Sequence, residues 1–114
     1  MQSAPRFDGI TDEAVLELTE DMVADGVATL RWTLHDLVLA GARVLIVDVS
    51  QVEQLSSTAV AALLWTHRAC RVRGGGVVLR SPTRRTLELL HRTGLWRVLQ
   101  IEQSAPVRLS AAVS

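Results

Sequence analysis

Cysteine occurs once, lysine and tyrosine not at all, phenylalanine once and proline three times in these 114 residues. A lone cysteine, Cys70, forms no internal disulfide, which agrees with a reducing compartment. The scarcity of proline beside a hydrophobic content of 48% excludes a disordered chain and fits a compact one. The longest apolar runs are about half of the roughly 20 residues that a spanning helix needs. No charged-apolar-small leader opens the chain. A soluble, cytoplasmic protein without membrane contact is therefore expected. The chain also lacks G-x-S-x-G, metal-spaced Cys/His clusters and paired carboxylates beside a glycine-rich loop. His35, His67 and His91 all fall on predicted helices, the last two on core-facing positions. No catalysis, cofactor or metal is expected.

Charge of one sign is also missing overall: the net charge is zero. The halves differ, however. Residues 1–60 hold ten acids against three arginines, and residues 61–114 hold nine arginines against Glu88 and Glu102. These arginines are spread over two helices and two connections without interleaved aromatics, so a solvated or partner-facing surface is expected, not direct nucleic-acid binding.

What is present is an alternation of strand and helix patterns. Val44 to Val47 is a short β-branched apolar run, which predicts a strand buried on both faces under covering helices. Phe7 to Ile10 and Ala14 to Leu18 read as earlier strands, the first an antiparallel edge. Thr19 to Ala24 reads as an acidic connection and Asp25 as an N-cap. A helix follows to about Ala40, with Val27, Leu30, Leu34, Leu37 and Val38 inward, Trp32 and Leu39 outward, Trp32 as a candidate oligomer contact, and Gly41 as C-cap. Val77 to Arg80 reads as a strand. Pro82 opens a helix that turns Leu87, Leu90 and His91 inward and ends at Gly94. Val98 to Ile101 reads as the last strand. The order predicts an α/β fold, a mostly parallel mixed sheet of four to five strands with three main helices.

The chemistry concentrates where the central strand meets its helix. Ser56, Ser57 and Thr58 are poor helix-interior residues but good caps, because their oxygens accept the orphan N–H groups of a first turn. The helix that follows carries two stripes. Val60, Leu63, Leu64, His67 and Cys70 form the predicted core side. Ala61, Ala62, Trp65, Ala69 and Val72 form the other, with Thr58 at its head. That second stripe fits either packing on a neighbouring helix or a partner-binding face.

Val47-Asp48-Val49-Ser50, then Leu55-Ser56-Ser57-Thr58-Ala59-Val60, then Gly74-Gly75 and Thr93-Gly94-Leu95, together resemble the STAS domain of anti-sigma factor antagonists. The resemblance covers about residues 13 to 103, leaving an N-terminal segment, 1–12, and a loose tail, 104–114. It implies a phosphorylation-switched domain that sequesters an anti-sigma factor or serine/threonine switch-protein kinase and so releases a sigma factor, with a phosphatase restoring the complex. Thr58 matches the hydroxyl usually phosphorylated and Ser57 the one before it. Ser56, Ala59, Ala61, Ala62, Trp65 and Ala69 are then the expected partner-binding residues, and a homodimer is an open option. Ser56 stands where the family has an acid and Ala59 where it has glycine. The Ala59-Val60-Ala61 run is closer to stressosome-type STAS proteins, so an unswitched scaffold subunit is the alternative.

Overall fold

In the computed structural model, which describes residues 6–8, 12–24 and 27–103, one five-stranded sheet carries the helices. Strands β1 (Arg6–Asp8), β2 (Glu13–Glu17), β3 (Val44–Asp48), β4 (Gly76–Arg80) and β5 (Gln100–Glu102) lie side by side in chain order. β1 is antiparallel to β2, and the other pairs are parallel. The α/β class and the antiparallel first strand are as the patterns predict. The residues beyond Gln103, and Asp25 with its expected cap, lie outside the described residues.

Between the strands run α1 (Glu20–Ala24), α2 (Val27–Leu39), α3 (Ser57–Arg71) and α4 (Arg84–Thr93), the last followed by a 3-10 turn at Leu95–Arg97. Right-handed crossovers between strands in consecutive order stack every helix on one side of the sheet. Burial shows the result. Ala14, Leu16, Leu45, Val47, Val77 and Leu79 are buried beneath Leu30, Leu34, Leu63 and Leu90. Their alternates Val15, Ile46 and Val78 are only half-buried. The central strand is thus covered fully on one face, not on both. A short β-branched run has the same composition in either setting, because half-burial already favours apolar side chains.

Several ends are set by local chemistry. Gly41 adopts φ 109° just past α2, and Gly94 caps α4 at φ 78°, both left-handed positions that suit glycine. Gly75 answers a different need. A Cβ there would collide with the Arg43 carbonyl oxygen, because the chain enters β4 pressed against the start of β3. Four sequence expectations shift. The acidic connection is partly helical, since Thr19 caps α1 through its Oγ1, which accepts the Met22 N–H at 3.4 Å. Helix α4 is capped by Thr83, not opened by Pro82, which lies before the cap. His91 is exposed, while Thr86 and Leu90 face the core. The last strand begins at Gln100, because Leu95–Arg97 continue as a 3-10 turn.

Candidate functional site

The junction after β3 is built from short-range hydrogen bonds. At the end of the strand, Asp48 Oδ1 accepts from the Ser50 N–H at 2.9 Å and from the Ser50 hydroxyl at 2.7 Å. This Asx turn closes the strand and launches the loop. Val49, Val52 and Leu55 are buried, so the loop is pinned from within. It is also tied to two other elements. The Glu53 N–H donates to Glu20 of α1 at 2.8 Å, and the Thr83 hydroxyl at the head of α4 donates to the Glu53 carbonyl at 2.6 Å. Three helix starts therefore meet at one edge of the molecule.

Ser56 is the N-cap of α3, with extended backbone, and its Oγ accepts the Ala59 N–H at 3.1 Å. Leu55 and Val60 occupy the two positions of a hydrophobic staple around it. Ser57 and Thr58 are the first two helical residues, and both are exposed. The Thr58 Oγ1 lies 3.2 Å from Ser56 Oγ, so the hydroxyl points back toward the cap. A group added to Thr58 would sit beside the free N–H groups of the first turn, at the positive end of the helix dipole.

Along α3 and its C-cap, Thr58, Ala61, Trp65 and Val72 form one exposed line, with Ala69 half-buried in it. Trp65 is 51% exposed, about two turns from Thr58. Two residues from that expected face belong elsewhere. Ala59 and Ala62 are buried, together with Leu63, Thr66 and Cys70. The core stripe is therefore rotated relative to the predicted one, and Val60, Leu64 and His67 are only half-buried. The cause is the double packing of α3, against β4 on one side and α2 on the other. Small side chains at 59 and 62 let those elements approach, and the Thr66 hydroxyl satisfies itself on the Ala62 carbonyl at 2.9 Å.

The line on α3 does not end with α3. The His35 ring of α2 lies 5.6 Å from Trp65, and Trp32 meets His35 edge-on at 6.2 Å. Trp32 and Leu39 are each 67% exposed. An aromatic surface thus spans both helices, and His35, which the sequence places on a helix without a role, joins its parts. The outward positions of Trp32 and Trp65 were the signals for it, because the bridging contact depends on how α2 lies against α3.

No described hydrogen bond links a histidine or carboxylate to Ser56, Ser57 or Thr58, and the histidines are engaged elsewhere. His67 Nδ1 accepts the Val77 N–H at 3.0 Å, and burial, reinforced by the Arg71 charge, lowers its pKa. His91 stacks on Trp96 at 5.6 Å. Burial also raises the Cys70 thiol pKa, against a smaller lowering by Arg73, so Cys70 is a buried hydrophobe. Among the described residues no three His, Cys, Asp or Glu side chains form a metal-holding group, and no helix is long and apolar enough to cross a membrane.

A single-sheet α/β fold with an antiparallel first strand and the other strands parallel in chain order is that of a STAS domain. This chain belongs to that family: the family model described as "Mlab, STAS domain" matches residues 6–101. Solved structures agree in fold. The crystal structure of TM1081 from Thermotoga maritima, provisionally described as an anti-sigma factor antagonist, superposes with a TM-score of 0.74 at 17% identity, over 90% of this chain and 86% of that one. The unphosphorylated anti-sigma factor antagonist SpoIIAA gives 0.72 at 17% identity, over 90% of each chain. The phosphorylated form of SpoIIAA, a Bacillus cell fate determinant, gives 0.68 at 17% identity, over 90% of this chain and 93% of that one. Comparison with curated protein sequences finds no match.

Proposed function

We propose that this protein is an anti-sigma factor antagonist that binds an anti-sigma factor or switch-protein kinase through the head of α3 and is released when Thr58 is phosphorylated. The observation that carries this reading is the exposed Thr58 hydroxyl at the second residue of α3, in line with the exposed Trp65. A phosphate there adds about −1.5 to −2 charges to a surface that must lose water in the complex. Next to free protein the helix dipole offsets part of that cost, about 0.3–1 kcal/mol. Opposite an apolar or acidic partner surface it does not, and the complex separates. A phosphatase reverses the step, and the domain acts by binding, without catalysis, cofactor or metal.

The departures at Ser56 and Ala59 favour a second reading, an unswitched STAS subunit of a larger signalling assembly. Binding of the cognate kinase to the native protein, Thr58→Val and Thr58→Glu, measured by calorimetry, separates the two. The switch reading expects Thr58→Val to bind like the native protein and Thr58→Glu at least about tenfold more weakly. Equal binding by all three contradicts the switch.

A further inference from the structure

Among the described residues four arginines stand beside carboxylates, while Arg31, Arg68, Arg73 and Arg92 do not, nor do two that share a notch. Arg43, Arg80, Arg84 and Arg85 lie 3.3, 3.1, 3.7 and 3.6 Å from carboxylate oxygens. Arg71 and Arg97 have no carboxylate partner among the described residues, and both line the same notch, about 630 Å³ in volume. The notch exists because β5 starts late. Its first pair with β4 is Val78 with Gln100, so Gly76 and Val77 have no strand on that side. The histidine bond to the Val77 N–H fills the missing ladder position, and Gly74 to Gly76 contribute no side chains to the space.

The lining has a distinct chemistry. It contains no aspartate or glutamate. The Arg97 guanidinium is held 5.1 Å from the Trp96 ring centroid, and Arg71 reaches the Gly75 carbonyl at 3.4 Å. Beside them stand Trp96 and Val98, 44% and 48% exposed, and the half-buried Val78. Two guanidiniums without counter-ions suit a phosphate, which offers them paired oxygens. The apolar wall beside them suits a carbon body, and the volume lies within the roughly 300–1,000 Å³ of small-molecule sites. We infer that the notch binds a small organic phosphate monoester, its phosphate between Arg71 and Arg97 and its apolar body against Trp96, Val98 and Val78.

The site lies at the far end of α3 from Thr58, and it does not depend on the switch proposed above. Titration of the isotopically labelled chain with phenyl phosphate, inorganic phosphate and phenol tests it by amide and indole chemical shifts. Phenyl phosphate should move the Trp96 indole N–H and the Gly75 to Val77 amides, binding at least about tenfold tighter than phosphate or phenol alone. Arg71→Gln and Arg97→Gln should each weaken it at least about fivefold while leaving the rest of the spectrum in place. Equal binding of inorganic phosphate would show an adventitious ion only and overturn the inference. So would undiminished binding in both variants, or no shift at about 10 mM phenyl phosphate, far above the affinities such built sites reach.

Discussion

Replacing Ser56 by alanine removes the oxygen that accepts the N–H of buried Ala59 at 3.1 Å. Loss of a serine cap costs about 1 kcal/mol. For a chain of 114 residues the unfolding entropy is about 240 cal/mol/K, so the midpoint temperature should fall by about 4 °C. Ser56→Asp keeps the acceptor and adds a negative charge at the helix start, a gain of about 0.3–1 kcal/mol at low salt. Ala59→Gly moves the other way. Ala59 is helical and fully buried, so glycine costs about 1 kcal/mol of backbone entropy and leaves a methyl-sized void. The double variant Ser56→Asp, Ala59→Gly should therefore be close to native in stability or slightly below it. Urea unfolding followed by circular dichroism, at low and high salt, measures all four. An Ser56→Ala variant as stable as native, or an Ala59→Gly variant with no loss, would refute the cap and the packing assigned to this turn.

Trp65→Ala should change unfolding free energy by less than about 1 kcal/mol, since the ring is half exposed, yet weaken kinase binding more than about tenfold by calorimetry. His67 gives the fold an acid-sensitive bond. Burial first, and then Arg71, hold its folded pKa below the ordinary value of 6.5, so the unprotonated ring is favoured in the native state. Its contribution is complete above pH 6.5 and is lost as pH falls from there toward the folded pKa. His67→Leu should lower stability at pH 8 by about 1–3 kcal/mol, by orphaning the Val77 N–H, and should flatten the acid-side decline in urea midpoints. Gly75→Ala should destabilise by more than about 2 kcal/mol in the same assay, because its Cβ would meet the Arg43 carbonyl. With the kinase present, the Ser56→Asp, Ala59→Gly variant should take phosphate faster than native protein, read by phosphate incorporation over time.

Where sequence chemistry acts locally, it was readable. Val44 to Val47 announces a strand by its branched side chains, Ser56 a cap by its hydroxyl, and Gly41 and Gly94 the helix ends by their freedom at positive φ. The turn of Asp48 with Ser50 is as local, but the pattern there marks only a strand end and not that bond. What could not be read depends on packing. An alanine fits a core as well as a surface, so spacing alone did not separate Ala59 and Ala62 from Ala61. The rotation of α3 follows from its contact with α2, which lies far away in the sequence. Trp65 was legible as an outward aromatic, but its link to Trp32 through His35 was not, since it crosses between helices. The notch was hidden for a related reason. It arises from a strand that starts two residues late, and the apolar Val98 and Leu99 mimic the strand that they precede.

The switch is tested most directly by incubating the protein with its cognate kinase and ATP, locating phosphate by mass spectrometry and measuring the affinity of the phosphorylated form for that kinase. Phosphate on Thr58, or on Ser57 beside it, with affinity reduced at least about tenfold, is the expected result. Phosphate elsewhere, no phosphate with a kinase proven active on another substrate, or phosphorylated protein that binds as tightly as before would contradict it.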